Sequence, residues 1–192
     1  MEWRCAMVEE LMAIRKNGTW DLVDLPDGKN VIGQQDSDWA GNVNGRKSVS
    51  GNLFTLGSAP ITWSSKKQST TTLSSSEAEY VEAASSTCQV LWLRKLLADL
   101  HQEQKGATEI FCDNLSVIAM AKNPVCHGRL KHIDIRHHFI RDLVAEGLIE
   151  LKSCSIEEQV ADILTKALPQ AKHNYFMLCL GICDFESSGR EC

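Results

Sequence analysis

The chain has 192 residues, 43% of them hydrophobic and 23% charged, and carries a formal net charge of −5. That length suffices for one buried core plus a short appendage, and the negative balance argues against a protein that coats nucleic acid indiscriminately. No apolar stretch is long enough for a signal peptide or a membrane-spanning helix, so the expected setting is intracellular, cytoplasmic or nuclear, with no secretion and no membrane partner.

Residues 1–33 hold a short helical stretch over 9–16, a strand-like TWDLVDL and turns at Lys16-Asn17-Gly18 and Pro26-Asp27-Gly28, too little to fold alone. From Val31 the pattern is strand-like, and SVSGNLFTLGSAPITWSSKKQ alternates apolar and polar residues on either side of Gly57-Ser58, which predicts a three-stranded meander. Residues 74–100 predict one long helix, opened by a capping box of Ser74 and Glu77 and apolar on more than one face, hence substantially buried. TEIFCD reads as a strand, after which Asn114 is placed to cap the helix LSVIAMAK, stopped by Asn123-Pro124. A basic amphipathic helix over 133–145 ends at Gly147. The strand LIELKSC and the helix EEQVADILTKAL, ended by Pro169, complete the order βββαβααβα, an α/β domain with a mixed sheet, and a last helix follows over 172–180. Trp63 and Trp92 are expected in the core, and the eight cysteines, without a CxxC pair, read as small core residues rather than ligands or bridges.

Four acids stand where a carboxylate is locally costly: Asp36 in DSDWAG, Glu79 in SSSEAEY, Asp113 in IFCDN and Asp162 in EEQVADILTKAL. Glu79 shares a helical stripe with Ala83, Val90, Leu93 and Leu97, a face expected to be apolar. One shared reason is a pair of divalent cations, which supply an activated water and neutralise charge during phosphodiester hydrolysis. Each acid also has a plainer role open to it: Asp36 and Asp38 as solvated turn acids, Asp113 as a helix cap, Asp162 as a solvent-facing helix residue. Glu77 reads as a capping residue, and the histidines of KHIDIRHH as surface or phosphate-facing groups. Positive charge gathers at Arg46 and Lys47, at Lys66 and Lys67, at Arg94 and Lys95, and along 131–141; Arg46, Lys47, Lys131, Arg136 and Arg141 are the candidate phosphate contacts.

The runs DSDWAGNVNGRKSVSGNLFTLGSAPITWSSKKQSTTTLSSSEAEY, IFCDNLSVIAMAKNP, RLKHIDIRHHFIRDLV and EEQVADILTKALP resemble the ribonuclease H domain of copia-type LTR retrotransposon Pol polyproteins, over about residues 31–183. The resemblance implies a ribonuclease H-like mixed five-stranded sheet flanked by helices over 34–183, followed by a tail, 184–192. It also implies catalytic, metal-binding Asp36, Glu79, Asp113 and Asp162, Mg²⁺ or Mn²⁺ as cofactor, and the RNA strand of an RNA–DNA hybrid as substrate. Such a hybrid presents a wide minor groove whose 2′-hydroxyls mark the RNA strand. Asp38 is second to Asp36, the first of the pair in the family pattern. Residues 1–33 look like the opening of the reverse transcriptase of the same polyproteins, but no Asp-Asp dipeptide follows, so no polymerase activity is expected. Two departures bear on competence. Gln34 and Gln35 replace the family's aromatic and small residues, which predicts a less well-packed first strand, and the loop CSIEEQ lacks the histidine that cellular relatives use in product release. The alternative is a catalytically silent remnant that keeps the fold and nucleic-acid binding; an integrase-type nuclease is disfavoured, because no His/Cys zinc module precedes the acids.

Overall fold

Alternation in VIGQQDSD, VSGNLFTL and APITWSSKK is realised as three antiparallel strands, β1 (Val31–Asp38), β2 (Val49–Leu56) and β3 (Ala59–Lys67), in a computed structural model. Described are residues 29–38, 47–68, 74–122 and 131–182, with three helical positions, Met12, Ala13 and Lys16, ahead of them. Helix α1 (Ser75–Asp99) leads to β4 (Thr108–Cys112), then α2 (Leu115–Lys122), α3 (Lys131–Ala145) and β5 (Ile149–Ser153). A 3-10 turn (Val160–Leu164) and α4 (Gln170–Cys179) complete the described elements. The sheet order is β3-β2-β1-β4-β5, with β4 parallel to both β1 and β5. This is the expected mixed five-stranded sheet, and it sets the carboxyl ends of β1 and β4 side by side, where open α/β sheets receive their ligands.

One face of the sheet carries the core. Phe54, Tyr80, Val90, Ile110, Ile140 and Leu151 are buried between the strands and α1, α2 and α3. Ser74 caps α1 as expected, its hydroxyl accepting from the Glu77 backbone N–H at 3.2 Å. Asn114 caps α2 through Oδ1, which accepts from the Ser116 N–H at 2.9 Å. Gly147, at φ +67°, ends α3 in the left-handed conformation that favours glycine. The stop at Asn123-Pro124 lies outside the described residues.

Three expectations need correction. Trp63 and Trp92 are 62% and 54% exposed rather than core residues. Trp63 belongs to the edge strand β3 and borders an open apolar groove with Leu53, Pro60, Ile163 and Leu164, while Trp92 lies on the outer side of α1. Helix α1 is substantially buried as expected over its first half, where Ala78, Tyr80, Glu82, Ala84 and Thr87 lie on different faces, while Cys88, Trp92 and Leu96 stay outside in its second half. Cys112 is buried, but Cys88 and Cys179 are exposed, so among the described cysteines the small-core role does not hold generally. The last acid-bearing segment is not a twelve-residue helix but the five-residue 3-10 turn, its start held by the Gln34 side chain and the Gln35 carbonyl of β1. Val160 N–H donates to Gln34 Oε1 at 2.9 Å, and Gln159 Nε2 donates to the Gln35 carbonyl at 2.7 Å. The tight turn lets Ala161 and Asp162 both face inward. Gln34 ties the first strand to the turn, and Gln35 is buried with no hydrogen-bond partner for either side-chain amide atom among the described residues.

Candidate metal centre

Asp36 lies near the carboxyl end of β1, and Asp113 follows the last residue of β4 directly. Asp36 is opposite Gly51 in the β1–β2 register, and the turn packs down at that point. A Cβ on Gly51 would stand 2.7 Å from Thr165 Cγ2 and 2.9 Å from Leu164 Cβ, so only glycine admits the turn this close. The Thr165 hydroxyl then donates to Asp36 Oδ2. Asp38, the second choice, is half-buried at the strand end.

Across the strand ends, α1 supplies Glu79. Its Oε1 accepts from Asn114 Nδ2 at 3.3 Å, and its Oε2 lies 3.7 Å from the Cys112 thiol. The ligand atoms of Glu79, Cys112 and Asp113 all lie within 4.8 Å of one another. Asp113 is not the cap of α2, a role taken by Asn114, and its Oδ1 is buried without a hydrogen-bond partner. Burial first, then the charge of Asp113, pushes the Glu79 carboxyl up to about 7. Burial also raises Asp36, against the hydrogen bond from Thr165 and the charge of Lys166, with Asp162 and Asp113 adding to the rise.

Asp162 is fully buried on the 3-10 turn, and an ammonium meets each of its oxygens. Lys166 Nζ is 2.8 Å from Oδ1 and 3.7 Å from Asp36 Oδ2, while Lys172 Nζ is 3.1 Å from Oδ2. Burial works against the Lys166 charge, but the hydrogen bond to Asp162 and the surrounding carboxylates outweigh it and hold the amine above its ordinary range. The four acids are thus electrostatically linked: Asp36 feels Asp162 and Asp113, and Glu79 feels Asp113 and Asp36.

A hard divalent cation fits this donor set. It prefers oxygen, would give Asp113 Oδ1 a partner, and would offset the repulsion that raises Glu79 and Asp36. Cys112 belongs to the group by position only, since burial pushes its thiol up to about 12 and leaves it a donor to Glu79.

The candidate phosphate contacts divide. Arg46 lies outside the described residues, and of Lys131 and Arg136 only the helical backbone is described. Lys47 is half-buried just before β2. Arg141 is half-buried on α3, its guanidinium against His138 and near enough to the Tyr80 hydroxyl to act on it electrostatically. Arg94, in another of the positive clusters, is spent on structure: it donates to the carbonyls of Gly106 and Gln104 at 2.9 and 3.0 Å and to the Thr108 hydroxyl.

Sequence reasoning passed over Asn114 as a Glu79 partner, and Thr165, Lys166 and Lys172 altogether. Lys166 alone left a trace, four residues after Asp162 on what looked like a helical face. It also passed over Glu82, a buried carboxylate one turn beyond Glu79. Asn52 Nδ2 at 2.9 Å and the Ser86 hydroxyl at 3.3 Å donate to Glu82, and burial raises its pKa.

No protein-family model matches the chain. It is 38% identical over 156 residues to the retrovirus-related Pol polyprotein from transposon TNT 1-94 of Nicotiana tabacum, a match covering 81% of this chain and 11% of that protein. It is likewise 38% identical over 147 residues to the Pol polyprotein from transposon RE2 of Arabidopsis thaliana, covering 77% and 10%. The chain therefore spans about a tenth of the length of these relatives. Among solved structures, LC11-RNase H1 isolated from compost superposes with a TM-score of 0.53 at 17% identity, over 71% of this chain and 92% of that one. The same compost protein in complex with an RNA/DNA hybrid gives 0.50 at 14% identity, over 71% and 94%. The N-terminal RNase H domain of a Mycobacterium tuberculosis protein gives 0.52 at 11%, over 79% and 98%. The chain is a homologue of the Pol polyproteins of copia-type retrotransposons, built on the ribonuclease H fold.

Proposed function

We propose that the domain is a metal-dependent endoribonuclease that hydrolyses the RNA strand of RNA–DNA hybrids. The observation that carries the reading is the meeting of Asp36, Glu79, Asp113 and Asp162 from four separate segments at one end of the sheet, with their mutual repulsion only partly offset. As plain structure such a cluster is destabilising; as a cation site it is useful. The fold neighbour solved on an RNA/DNA hybrid and the Pol polyprotein relatives support the substrate class.

Mg²⁺ or Mn²⁺ would be held by Glu79 and Asp113 with Asp36 and Asp162, and supplies Lewis-acid stabilisation of phosphoryl charge and an activated water. The chain's own residues prepare that site. Asn114 and the Cys112 thiol hold the two oxygens of Glu79, Thr165 holds Asp36, and Lys172 with Lys166 pairs with the two oxygens of Asp162 in the interior. The positive groups of α3 and Lys47 would steer the phosphate backbone without reading bases.

Purified protein and an end-labelled RNA–DNA hybrid test the reading. Cleavage of the RNA strand is expected with Mg²⁺ or Mn²⁺, none with EDTA, and a loss of at least about 100-fold in Asp113→Asn. Hybrid binding without cleavage under any divalent ion would favour the silent-remnant alternative.

A further inference from the structure

The four carboxylates do not share their charge compensation equally. Among the described residues Glu79 accepts from neutral donors, the Asn114 amide and the Cys112 thiol, and Asp113 Oδ1 is buried without a hydrogen-bond partner. Asp162, fully buried, has an ammonium on each oxygen, and Lys166 reaches from it to Asp36.

The two lysines are held differently. Lys172 is 19% exposed, donates to the Ile156 carbonyl at 2.9 Å, and lies 5.2 Å from the centre of the Phe176 ring. Lys166 is 34% exposed, and among the described residues its ion-pair partners are the carboxylates of Asp36 and Asp162. Lys172 is thus a fixed counter-ion, while Lys166 sits on a flexible stem at the edge of solvent.

We propose that Lys166 is a built-in monovalent cation that stands in for one of two divalent ions. The free domain then binds a single divalent ion on the Glu79–Asp113 side, and a second is admitted at Asp36 and Asp162 only when the Lys166 ammonium swings out. The inference rests on the metal-centre reading. A unit positive charge 2.8 Å from one carboxylate and 3.7 Å from the other repels any further cation those two groups would share. When Lys166 leaves, Lys172 still neutralises one oxygen of Asp162, so the interior tolerates the exchange.

The test is a calorimetric Mn²⁺ titration of the metal-stripped full chain, without nucleic acid, beside thermal melts. Wild type should take up one Mn²⁺ per chain. Lys166→Met should take up two, or bind the second at least about tenfold more tightly. Lys166→Arg, which keeps the charge, should behave as wild type, as should Lys152→Met, whose lysine pairs with Glu109 and Glu150 on another part of the sheet. Metal-free Lys166→Met should melt below wild type and recover more with Mn²⁺ than wild type does. If Lys166→Met does not fold, Lys166→Gln is read in the same way. Two ions of similar affinity in wild type, or an unchanged titration in Lys166→Met, would overturn the lysine's role and leave the metal centre standing. No Mn²⁺ uptake by wild type, or uptake indifferent to Asp113→Asn, would remove both.

Discussion

Asn114 acts with both ends of its amide: the oxygen caps α2 at the Ser116 N–H, and the nitrogen donates to Glu79 at 3.3 Å. Asn114→Ala should lower stability by about 1 kcal/mol through the lost cap and weaken Mn²⁺ binding as well. A denaturant titration beside a Mn²⁺ titration separates the two losses, and unchanged ion affinity would reduce Asn114 to a cap. Glu79 itself should make the metal-stripped protein sensitive to pH. Its carboxyl is raised from 4.5 to about 7, so between those values the folded state binds more protons than the unfolded one. Its contribution to stability is full below the lower value and is lost as pH rises through the upper one. Melting temperature in EDTA should therefore fall across that window relative to Glu79→Gln, and saturating Mn²⁺ should flatten the difference, because the ion selects the ionised acid. A wild-type curve parallel to that of Glu79→Gln would contradict the shift. At this scale the acids were legible as anomalies in sequence, whereas their partners were not. Asn114 and Thr165 are ordinary turn and cap residues until the fold brings them to Glu79 and Asp36.

Among the elements, the 3-10 turn carries the most consequence, and its position depends on a hydrogen at residue 51. Gly51→Ala places a methyl group 2.7 Å from Thr165 Cγ2 and 3.3 Å from the Ala161 carbonyl, which must push the turn off β2. The expected loss is about 1–3 kcal/mol of stability, with weaker Mn²⁺ binding, since Thr165, Lys166 and Asp162 all move with the turn. A variant as stable as wild type would show that the turn can shift freely. The meander, α1, β4, α2, α3 and β5 were legible because local patterning and caps agree with the final packing. The turn was not, because EEQVADILTKAL has helical spacing, and what overrides it is Gln34 reaching from a strand 126 positions away. Long-range capping of that kind leaves no periodic mark. The exposed tryptophans failed for a related reason: hydrophobicity does not say whether a strand is an edge or whether a helix has a second neighbour, and β3 and α1 each leave a side uncovered.

For the whole molecule, residues 1–28 are expected to contribute little to folding or metal binding, because their likeness to a polymerase opening brings no core with it. The limit lies just beyond them: Val31 begins β1, is itself buried, and its N–H donates to Gln104 Oε1 at 2.8 Å. Removing residues 1–28 should leave the melting temperature within a few degrees, whereas removal of 1–35 takes most of β1 and should unfold the domain. Loss of folding on the shorter cut would make the first segment part of the domain. Net charge foretold little about the site, since Arg94 is consumed by a loop and two lysines by a single aspartate.

The position of β1 also sets a timetable for synthesis. It is the first strand of the described sheet, yet one of its edges stays open until β4 is made, and Asp36 meets Thr165 only 129 positions later. At ordinary rates of translation that interval is on the order of ten seconds. Throughout it the emerging chain has its meander but not its four acids together, so the acid cluster is completed only when that later segment arrives. The glutamines at 34 and 35 give the waiting strand polar side chains in place of sticky ones, which blunts pairing with neighbouring chains.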